Sequence, residues 1–337
     1  MMSKARGIKR STCAGPPCSG CGEQLGVVAL FSSSPSAFRI RIAGRWRWVV
    51  AIIVLAGSAA GGFTSQRQLA TSVDNPSPGI SSIAGPATFS IPAAMANNKP
   101  GSTELRWFFG GKTQRGWAIY TALIREAVGA RNDIESAEFA QKVARWQSDR
   151  GLRATGVIDR DTWPAMIREF QSRRISGRRN SPPVEALVVV PASEFYDGER
   201  PAELRQVERN AYAAYKRLVA AAARDRSLGL RVTASGELDP TEKYLKIISG
   251  FRSREYQDRL RQASPRAGRA GLAVNSPHFT GRALDLYVGG EPVSTAEGNR
   301  LFQTRTAVYG WLVKNAARFG FRPYFYEPWH WEYVPGQ

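Results

Sequence analysis

Histidine and cysteine are nearly missing from most of this chain. Of 337 residues only two are histidine, and all three cysteines (Cys13, Cys18, Cys21) fall within the first 21. No cysteine remains downstream to act as a nucleophile or close a disulfide, so thiol chemistry is excluded there. Ser-x-x-Lys does not occur either, which removes the serine–lysine acyl-transfer route. Two histidines cannot build a His-Glu-x-x-His helix with a further histidine ligand. The Cys-x4-Cys-x2-Cys spacing has no fourth ligand nearby and reads as incidental thiols in a tail. Long apolar runs are also lacking. The strongest, Trp48 to Ala56, falls well short of the roughly 20 residues that span a bilayer.

Acidic residues are outnumbered 28 to 47, for a net charge of +19. The excess is uneven, because the first 48 residues hold eight basic residues and one acid, Glu23. Such a surface favours an anionic partner: nucleic acid, acidic lipid or an anionic cell-wall polymer. Charge alone does not choose among them.

A basic run ending Arg45-Trp46-Arg47 precedes the apolar core, and the small residues Gly57 to Gly62 follow it. This suits a signal peptide ending near Ala60, or a retained membrane anchor. Either places everything after about residue 63 outside the cytoplasm, in the periplasm or cell wall. Nucleic acid is then no partner, and membrane association runs through residues 46–63. The basic stretch ahead is longer than a usual signal-peptide start, which points to a true start further downstream.

The chain divides by composition. Residues 1–45 read as a basic disordered tail, 46–63 as the signal or anchor, and 64–103 as a flexible linker rich in Ser, Pro, Gly, Ala, Thr and Asn. Residues 104–174 carry helical periodicity, with helices expected over Trp117–Val128, Ser136–Arg150 and beyond a cap at Asp159. Residues 175–183 form a second linker, and the arginine run around it reads as solvated. Residues 184–337 show an α+β pattern. A helix is expected over Glu203–Arg224, strands over Tyr244–Ser249, Arg282–Val288 and Trp329–Val334, and one long helix over Glu297–Phe319.

Both histidines sit beside carboxylates, in Ser276-Pro-His278-Phe-Thr-Gly-Arg-Ala-Leu-Asp285 and Glu327-Pro-Trp-His330-Trp-Glu332. Neutral imidazole is the commonest metal ligand, and catalytic zinc takes three protein ligands plus water. Two histidines need a carboxylate to join them, and Asp285 is the natural candidate. Period-two alternation sends Leu284, Leu286 and Val288 to the core and Asp285 to the opposite face. It likewise puts His330 and Glu332 on one face of the last strand. Glu327, in the loop before Pro328, would stand near an ion without ligating it and take a proton from water. Glu332 competes for that role, but its strand position suits a supporting part. Arg252 is a fixed cation suited to a developing oxyanion or a substrate carboxylate.

Two resemblances are carried by these residues. Phe139-Ala-Gln-Lys-Val143-x-x-Trp146-Gln147-x-x-x-Gly151-Leu152-x-x-Thr155-Gly156-x-Ile158-Asp159-x-x-Thr162-Trp163 resembles the small three-helix peptidoglycan-binding domain. Ser249-Gly-Phe-Arg252-Ser253-x-x-x-Gln257, Ser276-x-His278-x-x-Gly281-x-Ala283-x-Asp285 and Glu327-x-Trp329-His330 resemble, in order, the zinc D-alanyl-D-alanine carboxypeptidases that include the vancomycin-resistance D,D-peptidases. The resemblance implies an α+β, hedgehog-like peptidase domain with a small antiparallel sheet. It implies Zn2+ held by His278, Asp285 and His330, with Glu327 as general base. Arg252 would contact the scissile carbonyl or a substrate carboxylate, and Ser276 and Gln257 would touch substrate.

The expected protein is an exported zinc metallopeptidase acting on peptidoglycan stem peptides, most simply as a D,D-carboxypeptidase. Tethering by the N-terminal module would raise its effective concentration at the wall. Residues 184–337 alone are expected to bind zinc and release D-alanine. An endopeptidase of the same fold and a non-catalytic wall-binding protein are the alternatives. The scissile bond and the oligomeric state stay open at this point.

Overall fold

A helix stands where composition predicts a linker. In the computed structural model, which describes residues 90–177, 180–263 and 272–336, α1 spans Ile91–Glu104. Ser90 caps it by accepting from the Ala93 amide, and Pro92 sits in the first turn, where no donor is lost. Its buried residues are Ala94, Asn98 and Ser102, all small or polar, so no apolar stripe announces it. Asn98 fastens it instead, donating to the Gly156 carbonyl at 2.8 Å and accepting from the Ile158 amide at 3.0 Å. The cysteines, the basic tail, the apolar segment 46–63 and the linker as far as residue 89 lie outside the described residues. Among the described residues, no helix is long and apolar enough to cross a membrane.

After α1 come a hairpin, β1 (Arg106–Phe109) and β2 (Lys112–Arg115), and three helices, α2 (Thr121–Val128), α3 (Ala137–Ser148) and α4 (Thr162–Ser172). The hairpin turns on Gly110 and Gly111, both at positive φ, as a two-residue turn of matching twist requires. Trp117, Ile124, Phe139, Val143, Trp163 and Met166 form the core between the helices. Gln147 is fully buried and braces the turn that follows α3. Its amide nitrogen reaches the Val157 carbonyl and the Thr162 hydroxyl, and its oxygen accepts from the Gly156 amide. Asp159, expected as the cap of this helix, instead braces the turn before it by accepting from the Asp161 and Thr162 amides, and Asp161 is the residue that precedes α4.

The C-terminal half is α+β. It runs β3 (Leu187–Val189), β4 (Gln206–Glu208), α5 (Arg209–Arg224), β5 (Ile247–Ser249), α6 (Arg254–Ala263), β6 (Ala283–Leu286), α7 (Glu297–Thr304), α8 (Ala307–Asn315), β7 (Phe321–Pro323) and β8 (His330–Tyr333). β3 and β4 pair with each other, and the other four strands form an antiparallel sheet in the order β5-β6-β8-β7. Leu284, Leu286 and Trp331 pack into one core with Tyr215 and Leu218 of α5 and Leu312 of α8.

Three further expectations change. The long helix Glu297–Phe319 is broken at Arg305 and Thr306. Thr306 caps α8 by accepting from the Tyr309 amide, while its hydroxyl donates to the Val288 carbonyl. The helix expected from Glu203 begins only at Arg209, because Gln206–Glu208 is taken by pairing with β3. The arginine run after α4 is not wholly solvated: Arg174 and Ile175 are buried.

The two halves share a core. Tyr324, Phe325 and Tyr326, in the loop between β7 and β8, belong to the same buried cluster as the N-terminal helices. The Phe325 ring lies 4.8 Å from that of Phe109 and 5.4 Å from that of Tyr120. Burying such a side chain is worth on the order of 2 kcal/mol. Arg300 of α7 donates to the Tyr120 hydroxyl at 3.0 Å, a second bond across the same boundary.

Candidate metal centre

The register of two neighbouring strands builds the site. β6 and β8 run antiparallel with Asp285 opposite His330, Leu284 opposite Trp331 and Ala283 opposite Glu332. Leu284 and Trp331 turn into the core, which leaves Asp285, His330 and Glu332 on the other face. His278 arrives from a short 3-10 turn, Pro277–Thr280, ahead of β6. Its Nε2 lies 3.3 Å from Asp285 Oδ1, and His330 Nδ1 lies 2.9 Å from the same oxygen. One ligand atom from each of His278, Asp285 and His330 falls within 4.8 Å of the others, and all three residues are buried.

The remaining atoms of these side chains are already engaged. His278 Nδ1 is 2.7 Å from the Gly250 carbonyl, so it carries the proton and leaves Nε2 with a lone pair. Only glycine fits at 250, since a Cβ would stand 2.4 Å from the Gln206 carbonyl oxygen. His330 Nε2 donates to Glu332 Oε1 at 3.2 Å, which turns Nδ1 inward. Arg252 donates to Asp285 Oδ2 at 2.6 Å and holds Oδ1 toward the imidazoles.

Electrostatics follow from burial and these partners. Burial, with the Arg252 guanidinium nearby, pushes His278 down to about 4, so it is neutral at physiological pH. Burial works against ionised Asp285 too, yet His278 and Arg252 hold its carboxyl well below the usual range. Burial alone would also lower His330, but its bonds to Asp285 and Glu332 raise it to about 9. A neutral Nε2 and a carboxylate oxygen at 3.3 Å present lone pair to lone pair. That is unfavourable unless a positive charge sits between them, so the donor set fits a divalent cation. Two imidazoles, one carboxylate and a bound proton on each outward-facing nitrogen form a ligand set suited to zinc.

Glu327 lies in the loop before β8, where its amide donates to the Tyr324 carbonyl at 3.2 Å. Its carboxylate is buried and makes no hydrogen bond or ion pair among the described residues. Burial pushes it up to about 7, against the pull of His330.

The other expected residues bond to His278, to Asp285 or to one another. Ser276 is buried and its hydroxyl accepts from the His278 amide at 3.3 Å, capping the turn that carries His278. Gln257 is buried and donates to the Ala273 carbonyl at 3.1 Å. Arg252 spends one arm on Asp285 and its Nε on Ser249 Oγ at 2.8 Å. Its Nη1 is 3.5 Å from Gln257 Oε1 and is the donor left weakly used.

Sequence reasoning did not find the Gly250 carbonyl, although Gly250 lies inside a quoted motif. It also missed Arg174 and the Ile175 amide, which grip Glu332. No local signal marks them, since they stand about 158 residues away in the chain.

Comparison with known proteins agrees with this geometry. No curated protein gives a significant match to the chain. Residues 121–166 match the family model for a putative peptidoglycan binding domain. Residues 204–336 match the VanY model, D-alanyl-D-alanine carboxypeptidase, which makes that domain a hydrolase and spans all seven expected site residues. The pair supports a cell-wall D,D-peptidase in a cell-wall or extracellular location. The chain therefore carries a domain of the D-alanyl-D-alanine carboxypeptidase family VanY, with a peptidoglycan-binding domain N-terminal to it.

Proposed function

We propose that this is an exported zinc D,D-carboxypeptidase that removes the terminal D-alanine from peptidoglycan stem peptides. The single observation carrying it is the convergence of His278 Nε2, Asp285 Oδ1 and His330 Nδ1 beside a buried carboxylate, Glu327, that is unpaired among the described residues. These three atoms are assigned as the ligands. Zinc held there would polarise the scissile carbonyl and lower the pKa of a water molecule to about 7.

The chain's own residues do the rest. Glu327 takes a proton from the attacking water onto its carboxylate and returns it to the nitrogen of the leaving D-alanine. Burial raises this carboxyl in the metal-free site, which favours taking up a proton, and a cation held beside it would draw it back down. Arg252 keeps Asp285 aimed at the imidazoles, and its weakly used Nη1 is assigned to a substrate oxygen. The β6 and β8 backbone holds Asp285 and His330 in register, so positioning is set before substrate arrives.

The test is digestion of defined muropeptides with the purified protein and identification of the products by mass. Release of D-alanine from a pentapeptide, lost on chelation and restored by zinc, is expected. Products cut only at cross-links would replace the carboxypeptidase reading with an endopeptidase. No cleavage by zinc-loaded protein would remove the peptidase reading.

A further inference from the structure

The segment leaving α4 does not run free into the peptidase domain. Arg174 and Ile175, just past the end of α4, are both buried, and both close on Glu332 of β8. Arg174 Nε donates to Glu332 Oε1 at 2.8 Å, and Nη2 donates to the same oxygen. The Ile175 amide donates to Oε2 at 2.7 Å. Glu332 has no exposed surface, and among the described residues its only ion-pair partners are Arg174 and His330.

Glu332 Oε1 is also the acceptor for His330 Nε2. A second contact makes the same connection. The Arg174 guanidinium stacks 3.8 Å over the Tyr324 ring, and Tyr324 meets the His330 ring edge-on at 5.8 Å. Arg174 therefore touches two of the groups that pack on or bond to this imidazole. A planar guanidinium does this better than an ammonium, because its donors and its face are used together.

We propose that Arg174 is a positioning residue for the metal centre, acting through Glu332 to fix the ring of His330. The wall-binding module thereby completes the peptidase site as well as anchoring it. This rests on the metallopeptidase reading above. Groups that orient a metal ligand typically contribute 10–100-fold to metal affinity.

The test measures zinc affinity of the full chain by competition with a chelating dye, with thermal unfolding of the zinc-free protein alongside. Arg174→Met should weaken zinc binding about 10–100-fold, and Arg174→Lys should recover part of the loss. In a Glu332→Gln background, Arg174→Met should add less than about threefold, because two residues acting in one chain of contacts are not additive. Unchanged affinity in Arg174→Met, or its full effect repeated in the Glu332→Gln background, would overturn the inference while leaving the zinc site intact. Should Arg174→Met not fold, Arg174→Lys decides: several-fold weaker binding supports the inference, and wild-type affinity overturns it. Wild-type protein that takes up no zinc would instead remove the metallopeptidase reading itself.

Discussion

Asp285 and His330, 45 residues apart in sequence, face each other across β6 and β8 with Oδ1 and Nδ1 2.9 Å apart. In the absence of an ion that pair shares a proton. Zinc binding has to displace it, because the ligand nitrogen must be bare. Zinc uptake should therefore release about one proton and weaken as pH falls below about 9, where His330 is protonated. Calorimetry in two buffers of different ionisation enthalpy measures the proton count. Identical heats in both would contradict a proton on His330.

Glu327→Gln keeps the shape of the side chain and removes its basicity. Zinc content should stay at wild-type level while turnover falls about 10²–10⁴-fold. In the wild type, kcat/KM should fall on the acid side as the Glu327 carboxylate protonates. Burial sets that limb near 7 in the zinc-free site, and the added positive charge of zinc moves it lower. The pH profile and metal analysis of both proteins check this.

Acid should weaken the joint between the two halves. Burial alone would raise Glu332, but its bond from His330 and the Arg174 charge bring it down to about 2. A group with a depressed folded-state pKa stabilises above its unfolded value, near 4.5, and loses that stability as pH falls toward 2. The loss over this window is roughly 3 kcal/mol for the zinc-free chain. Chemical unfolding at several pH values should show that slope, and Glu332→Gln should flatten it.

Residues 184–337 in isolation should behave poorly, contrary to what their motifs suggest. Cutting there exposes Tyr324, Phe325 and Tyr326 and leaves Glu332 without Arg174. Breaking a buried pair from one side costs about 3–5 kcal/mol. We expect the fragment to aggregate or to hold zinc more weakly than a fragment starting at residue 90. Equal zinc affinity and equal thermal stability of the two fragments would show the shared core to be dispensable.

The site was readable where chemistry is written in short motifs. Asp285 and His330 lie on strands whose alternation assigns them to one face, and both histidines stand beside carboxylates in short motifs. The meeting of His278, Asp285 and His330 beside the sheet follows from that. What composition hid was held by single polar side chains. α1 has no apolar stripe because Asn98 fastens it, and Arg174 looks like part of a charged spacer because its partner is on the last strand. Ser276 and Gln257 show how little a motif says about what a polar side chain touches. A hydroxyl or amide in a motif looks the same whether it faces a substrate or caps the chain beside it.

The common core around Phe325 also limits how the molecule can work on a surface. Two modules on a loose leash sweep out a range of distances, so one attachment point serves many bonds. Here the spacing between the grip on the wall and the cutting centre is built in, like the jaws of a fixed-gap tool. Any change of reach has to come from moving the whole body, so a centre that cuts as proposed should do so at a fixed offset from its grip point.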